Sequence, residues 1–392
     1  MALTAAELVK ADQEHLIHPL HHPVDNAEPV IYVRGRGATV VDIGGHEYLD
    51  GLSGLWNVNV GHGRAELAEA AAAQMKELAY FSGYVGSSNI PAITLANRLM
   101  EITYDNMQAV FFASGGAEAN ESAFKTARFY WKATGKPEKF KIISRQQGYH
   151  GVTLQAMSAT GMGAYWKMFE PRVREVCTRH DVLLIADEVI TGFCRTGRWF
   201  ALAHWNVKPD MLSFAKGVTS GYLPLGGIIV SKAIKDAMDS VKPEDRWMHA
   251  YTYSAHPTCC AVGLKNLEIM TRERLWENAA KMGDRLYAGL KQTFGDHPNV
   301  GDIRGGKGLL AALELVEDRA SKKNFAGDRK VAARLQAEMM KRGVVTRTRP
   351  AVGPHPSPGD AVFYAPPLVV TEGEIDRLIA VTRDAVKAVL GA

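Results

Sequence analysis

The stretch Asp181-Val-Leu-Leu-Ile-Ala-Asp187-Glu-Val189 is the clearest indication of fold in this chain, because an apolar run ends there abruptly in acidic residues. A second short apolar run, Met211-Leu-Ser-Phe-Ala215, ends at Lys216. Short apolar runs of this kind are typical of buried strands, and open α/β sheets bind ligands at the carboxyl ends of parallel strands. We therefore expect Asp187 and Lys216 to lie together at one edge of a sheet.

This pair of residues predicts a particular chemistry. A lysine at such an edge can form a Schiff base when desolvation lowers its pKa. An aspartate that faces a pyridine nitrogen keeps that nitrogen protonated and makes the ring an electron sink. Together they indicate pyridoxal 5'-phosphate as the cofactor, with Lys216 and Asp187 as the catalytic groups.

The bulk composition excludes several other classes of protein. The chain has 392 residues, of which 46% are hydrophobic and 22% are charged, as is usual for soluble proteins of about two domains. A net charge of +4 indicates neither a nucleic-acid groove nor a membrane patch. No apolar run approaches the ~20 residues of a membrane span. The four cysteines lack metal-ligand spacing, so we expect reduced thiols in a cytoplasmic protein and no metal site.

The order of predicted elements gives the domain organisation. Strands and helices alternate from about residue 109 to Val230, which predicts an α/β domain with a mainly parallel central sheet over residues 60–295. Strands are expected at 30–33, 39–43, 109–113, 141–144, 308–315 and 361–364, and helices at 91–103 and 117–132. Thr371-Glu-Gly-Glu374 is a capping box that opens a final helix. Residues 296–392 then form a smaller α+β domain, which residues 1–59 join.

Three further positions suit a bound cofactor, although each has an ordinary structural explanation. Ser114-Gly115-Gly116 lies between a strand and a helix. Either its free N–H groups bind a phosphate, or its glycines only allow the chain to turn. Tyr149 follows a strand and either stacks on a planar ring or lies at the edge of the core. Val189 lies two residues after Asp187, and it packs on the opposite ring face or in the core.

Two tempting motifs are rejected. Residues 301–308 nearly spell a phosphate-binding P-loop, but Gly308 replaces the required Ser or Thr. The cluster of His15, His18, His21 and His22 has no carboxylate or cysteine at a matching spacing, which disfavours a metal site.

A series of ordered motifs extends over nearly the whole chain. They are Tyr48-Leu-Asp-Gly51, Gly54-Leu-Trp-Asn-Val-Asn-Val-Gly-His-Gly63, Ser114-Gly-Gly-Ala-Glu-Ala-Asn-Glu121, Tyr149-His-Gly151, Asp187-Glu-Val-Ile-Thr-Gly-Phe193, Lys216-Gly217 and Tyr251-Thr-Tyr-Ser-Ala-His-Pro257. With these motifs the chain resembles the class III (ω-type) pyridoxal-phosphate aminotransferases of fold type I. It is most similar to their ω-amino acid:pyruvate (β-alanine:pyruvate) group.

The resemblance implies roles for the cofactor residues. Lys216 resembles the Schiff-base lysine that also shuttles a proton, and Asp187 resembles the partner of the pyridinium nitrogen. Gly115 and Gly116 fall on the phosphate loop, where the family often has serine in place of Gly116. Thr252 matches a threonine that reaches the phosphate from the partner subunit, which implies a homodimer or a dimer of dimers with shared sites.

The resemblance also implies a substrate side and a reaction. Trp56 and Tyr84 match aromatic residues of the pocket, and Arg347 matches the arginine that grips the substrate carboxylate, with Arg349 as the alternative. The expected reaction moves an amino group from an ω-amino acid or amine to pyruvate or a similar keto acid, in two ping-pong half-reactions. A fold-type I decarboxylase or aminomutase is the nearest alternative enzyme.

One departure from the family pattern lies near Pro171. Between Tyr149-His-Gly151 and the strand that ends at Asp187, the family has a long loop, a helix and a strand ending in Gly-Glu-Pro, and this chain has no Gly-Glu-Pro. Either the segment is truly deleted, or the sequence as written omits residues of the polypeptide. A true deletion would favour a catalytically impaired variant that binds the cofactor or a partner without turnover.

Overall fold

The computed structural model describes residues 4–16, 18–19, 29–83, 86–162, 165, 182–351 and 357–391. The strands are β1 (Tyr32–Arg36), β2 (Thr39–Asp42), β3 (Glu47–Asp50), β4 (Met107–Ala113), β5 (Ile185–Asp187), β6 (Met211–Phe214), β7 (Gly226–Ser231), β8 (Val300–Arg304), β9 (Ala311–Leu315), β10 (Val344–Val345), β11 (Arg347–Arg349) and β12 (Asp360–Tyr364). The helices are α1 (Ala5–His15), α2 (Ser53–Trp56), α3 (Ala65–Leu78), α4 (Ile90–Ile102), α5 (Gly116–Ala133), α6 (Leu154–Ala159), α7 (Lys232–Ser240), α8 (Pro257–Arg272), α9 (Leu275–Phe294), α10 (Val331–Lys341) and α11 (Glu372–Leu390).

The central sheet has the strand order β4-β7-β6-β5, and α5 packs against β6 and β7. This arrangement confirms the α/β class. The sheet is mixed, however, because β5 and β6 are parallel while β7 runs antiparallel to both β4 and β6. β4, β5 and β6 nevertheless run in the same direction, so three of the four described strands agree with the predicted, mainly parallel sheet. The reversal of β7 follows from the link between β6 and β7, which contains the single 3-10 turn Lys216–Val218 and no crossover helix, so the chain returns in the opposite direction.

A strand was also expected at residues 141–144, and this prediction is wrong. Those residues form no strand, and Ile143 is 58% exposed. Among the described residues β5 pairs with β6 alone, so the apolar run has no neighbour that takes up its backbone hydrogen bonds.

Two further sheets bring the ends of the chain together. In one sheet β10 pairs in parallel with β3, and the other is antiparallel in the order β11-β12-β9-β8. The division at residues 59 and 295 remains a prediction. The predicted capping box is confirmed, because the Thr371 side chain accepts from Glu374 N and the Glu374 side chain accepts from Thr371 N. No helix in the described ranges is long and apolar enough to cross a membrane.

Candidate active site

Asp187 is the last residue of β5, and Lys216 begins the 3-10 turn just after β6. Because the two strands pair in parallel, with Asp187 opposite Ser213, both side chains lie at one edge of the sheet. They face one cavity of about 780 Å³, whose wall also includes Trp56, Tyr149 and Val189. Lys216 has a φ of +44°, a conformation that costs about 1–3 kcal/mol in a residue other than glycine.

The Lys216 amine lies in a desolvated environment. Burial lowers the pKa of Lys216, and the Asp187 carboxylate opposes this shift in part. A lysine with a lowered pKa offers a larger neutral fraction at a given pH, and the neutral amine is the form that acts as a nucleophile or a base.

Three donors hold the Asp187 carboxylate. Oδ2 of Asp187 accepts from Nδ1 of His150 at 2.8 Å and from Nδ2 of Asn120 at 3.0 Å. Oδ1 accepts from the backbone N–H of Val189 at 3.1 Å. The sequence analysis assigned no role to His150 or Asn120. The position of Asn120, one helical turn after Gly116 at the start of α5, was the available indication that it faces this edge.

The predicted glycine turn lies at the start of α5. Gly116 lines the cavity, whereas Ser114 and Gly115 are not on its wall. A Cβ on Gly116 would lie 2.9 Å from Cγ1 of Val189, so glycine permits this close approach. The N–H of Ser114 already donates to Oε2 of Glu118 at 2.8 Å.

Two of the predicted aromatic residues, Tyr149 and Trp56, form part of the cavity wall. Tyr149 remains 45% exposed there, and burial of the rest raises the pKa of its hydroxyl. The ring of Trp56 meets that of Phe363 edge to face, with 6.4 Å between the centroids. Tyr84 lies outside the described residues.

Arg347 and Arg349 both lie near this aromatic wall. The guanidinium carbon of Arg347 is 5.9 Å from the centroid of Trp56, and that of Arg349 is 6.0 Å from the centroid of Phe363. Among the described residues Arg347 has no carboxylate within ion-pair distance. Arg347 is thus the arginine nearer to Trp56, although neither arginine is on the wall itself.

Thr252 is exposed and is not on the wall of this cavity. Its carbonyl accepts from the hydroxyl of Tyr80 at 2.7 Å. The single chain therefore does not bring Thr252 to Lys216.

The sequence analysis also missed several residues of the wall. They are Thr191, Thr196, Trp205, Arg304, Lys307 and Phe363. Arg304 makes ion pairs with Asp302 and Glu314, so its charge is neutralised locally. Most of these residues come from loops or from strands far along the chain, and no local pattern marked them.

The residues on the cavity wall fit pyridoxal phosphate. The desolvated amine of Lys216 suits the aldehyde of the cofactor, and the Asp187 carboxylate suits the pyridine nitrogen. The aromatic ring of Tyr149 suits the planar ring of the cofactor, and the start of the 18-residue helix α5 suits its phosphate anion.

Comparison with known proteins agrees with this geometry. The sequence model of the family Aminotransferase class-III matches residues 21–172 and 161–386. The diaminobutyrate–2-oxoglutarate transaminase of Halomonas elongata is 34% identical over 465 aligned residues, which cover 99% of this chain and 97% of that protein. The taurine–pyruvate aminotransferase of Bilophila wadsworthia is 33% identical over 453 residues, covering 97% of both. The ω-transaminase from Pseudomonas jessenii, solved in complex with PMP, superposes with a TM-score of 0.90 at 30% identity and 98% coverage of each chain.

These alignments also contain many positions that are opposite gaps in this chain. The alignment with the Halomonas protein has 465 positions against 392 residues here, so at least 73 positions, the excess of one over the other, are opposite gaps in this chain. The two matches to the family overlap at residues 161–172. The family match nevertheless covers most of the chain, so the fold is that of the fold-type I transaminases. The chain belongs to the class III aminotransferases, which are enzymes that depend on pyridoxal phosphate.

Proposed function

We propose that this enzyme moves an amino group from an ω-amino acid or an amine to pyruvate or a similar keto acid, in two ping-pong half-reactions. The observation that supports this proposal most strongly is the single cavity in which the partly buried Lys216 and Asp187 lie beside the aromatic wall at Trp56. The relative named for taurine and pyruvate supports the choice of acceptor.

Lys216 has two tasks in this proposal. Pyridoxal phosphate supplies an aldehyde that condenses with amines and a ring that stores electrons. Nζ of Lys216 would hold the cofactor covalently in the resting enzyme, and as the free amine it would take a proton from the donor carbon and deliver it to the aldehyde-derived carbon of the cofactor. Burial suits both tasks, because it lowers the pKa of Lys216 and so favours the neutral amine.

Asp187 pairs with the pyridine nitrogen and keeps it protonated. His150 and Asn120 both donate to Oδ2, and among the described residues Oδ1 has one donor, the N–H of Val189, so Oδ1 keeps acceptor capacity for the ring. We propose that Tyr149 and Val189 contact opposite faces of the ring.

We propose that Ser114, Gly115 and Gly116 bind the phosphate at the start of α5. The positive end of the helix dipole favours an anion at this place. The N–H of Ser114 already donates to Glu118, so a bound phosphate would compete with Glu118 for this donor.

On the substrate side we propose that Trp56 and Tyr84 contact the donor and that Arg347 binds a substrate carboxylate. Arg347 suits this role because its guanidinium lies beside Trp56 and, among the described residues, has no carboxylate partner. A guanidinium binds a carboxylate through two parallel hydrogen bonds.

We propose that the chain works in the cytoplasm as a homodimer or a dimer of dimers. Thr252 is exposed and lies off the cavity of its own chain, which supports a role at the site of the partner subunit.

We propose that a segment is missing near residue 171 and that it contains a strand of the central sheet. Three observations support this proposal: the total of at least 73 gap positions, the overlap of the two family matches at residues 161–172, and a cavity of about 270 Å³ beside β5, lined by Phe124, Trp131 and Ile142. If the segment is absent from the polypeptide, the cavity leaves β5 and Asp187 with less packing on that side. The alternative function is then a catalytically impaired variant that binds the cofactor or a partner without turnover.

The test is the visible absorption of the purified protein with pyridoxal phosphate. An intact mass of 42.8 kDa would show that the polypeptide matches this sequence. A mass several kilodaltons larger would show that the sequence as written omits residues of the polypeptide. We expect a cofactor band that β-alanine bleaches and pyruvate restores. A cofactor band that no amine bleaches would support the impaired variant. Failure of the protein to bind the cofactor would contradict the proposal.

A further inference from the structure

Arg195 is the largest fully buried side chain among the described residues, with an exposed fraction of 0%. Its Nη1 donates to the carbonyl oxygens of Leu309 at 3.2 Å and Pro366 at 2.6 Å. Its Nη2 donates to Oγ of Ser53 at 3.0 Å and to Oδ1 of Asn59 at 2.7 Å. All four acceptors are neutral, so among the described residues this buried cation makes no hydrogen bond to a carboxylate.

The carboxylate that acts on Arg195 electrostatically is that of Asp50. Its oxygens are taken by the backbone N–H groups of Leu52 and Gly54 and by Nε2 of His62, the last at 2.7 Å. A buried charge without a direct counter-ion is unfavourable, and apolar side chains of similar size would serve packing as well. The contacts of Arg195 therefore point to a task other than filling the core.

The four contacts of Arg195 join segments that form different walls of the cavity. Ser53 and Asn59 are the ends of segment 53–59, which we call the Trp56 loop because its helix α2 is distorted at Gly54 and Leu55. In this segment φ is positive at Ser53 (+52°) and at Trp56 (+59°). Such conformations persist only where the surroundings hold them. Leu309 adjoins the cavity-lining residues 310–312.

We propose that Arg195 is a positioning residue that fixes the Trp56 loop against the segments at Leu309 and Pro366 and so sets the shape of the substrate side of the cavity. The inference rests on the proposed function, in which Trp56 contacts the donor. Arg195 touches neither the substrate nor the cofactor in this scheme and acts through Trp56.

The test is Arg195→Lys, which keeps the charge but replaces a rigid fork by one nitrogen that cannot serve acceptors on both sides. We expect KM for the amine donor to rise at least about tenfold, because a misplaced Trp56 would contact the donor less well. We expect kcat and the absorption of bound cofactor to change little. Arg198→Lys is the matched control, because Arg198 is three residues away and exposed. Parental KM in Arg195→Lys, or a fall in kcat at unchanged KM, would overturn the inference.

Two more variants keep the inference testable if Arg195→Lys does not fold. Ser53→Ala removes one acceptor from the opposite side and should raise KM in the same direction, and an unchanged KM would count against the inference. Trp56→Ala separates the two proposals. If Arg195 acts through Trp56, Trp56→Ala should raise KM by itself. The double variants of Trp56→Ala with Arg195→Lys or with Ser53→Ala should then raise KM by less than the product of the two single fold-changes. Multiplicative effects contradict the inference alone, whereas a parental KM in Trp56→Ala contradicts the proposed role of Trp56.

Discussion

Nδ1 of His150 lies 2.8 Å from Oδ2 of Asp187, and Nδ2 of Asn120 reaches the same oxygen at 3.0 Å. The three residues come from a loop, a strand and a helix that are far apart in the chain. Because two side chains and one backbone group hold the carboxylate, its orientation is set within the protein itself. Asp187 can then meet a pyridine nitrogen without first reorganising.

Replacement of His150 by leucine should weaken cofactor binding and lower kcat/KM about tenfold. The reason is the loss of a hydrogen bond to a charged group, worth roughly 1.5–3 kcal/mol when buried and less here, where His150 is partly exposed. Steady-state kinetics and cofactor titration measure both effects. His46→Leu is the matched control, because His46 pairs with Asp42 at an exposed position. Parental kinetics in His150→Leu would show that Asp187 does not need this donor.

Arg347→Gln should raise KM for pyruvate about tenfold or more, since it removes a charged partner of the carboxylate. An amine donor without a carboxylate should keep its KM in the same variant. Arg349→Gln is the comparison, and we expect a smaller change because Arg349 lies beside Phe363 rather than Trp56. If only Arg349→Gln affects pyruvate, the two assignments must be exchanged.

Gly116→Ser should weaken cofactor binding, although a serine hydroxyl is a good phosphate ligand. The new Cβ would lie 2.9 Å from Cγ1 of Val189, so Val189 must shift. Adding Val189→Ala should restore part of the affinity, as measured by cofactor titration, because it removes the clash. Tighter binding in Gly116→Ser alone would mean that the phosphate contact outweighs the clash.

His249 should make the stability of the fold depend on pH. Burial, assisted by Lys125, lowers the pKa of His249 from 6.5 to about 4. The unfolded chain therefore binds more protons between these values, and stability present above about pH 6.5 is lost as the pH falls towards 4. Urea unfolding should show a steeper loss in the parent than in His249→Gln. Equal losses in both proteins would contradict this assignment.

The sequence predicted the strongly patterned parts of the structure well. The ends of α4 and α5, the capping box at Thr371 and the edge position of Asp187 and Lys216 all depend on local signals. The strand expected at residues 141–144 failed because a strand depends on its neighbour, and among the described residues none pairs with it.

Contacts between distant segments were beyond prediction. His150 and Asn120 are separated from Asp187 by 37 and 67 residues, and Arg195 binds groups up to 171 residues away. No spacing rule relates such positions, because the fold itself brings them together. Family resemblance supplied Arg347 and Thr252, whose roles still depend on experiment.

The most direct test of the central role of Lys216 is to reduce the cofactor-loaded protein with borohydride and map the product by mass spectrometry. We predict a cofactor-derived mass on the peptide that contains Lys216, retained in Lys208→Ala and lost together with transaminase activity in Lys216→Ala. Lys208 is an exposed lysine that pairs with Asp105, so its removal leaves the cavity intact. Attachment at another lysine, or activity that survives in Lys216→Ala, would contradict the assignment of Lys216.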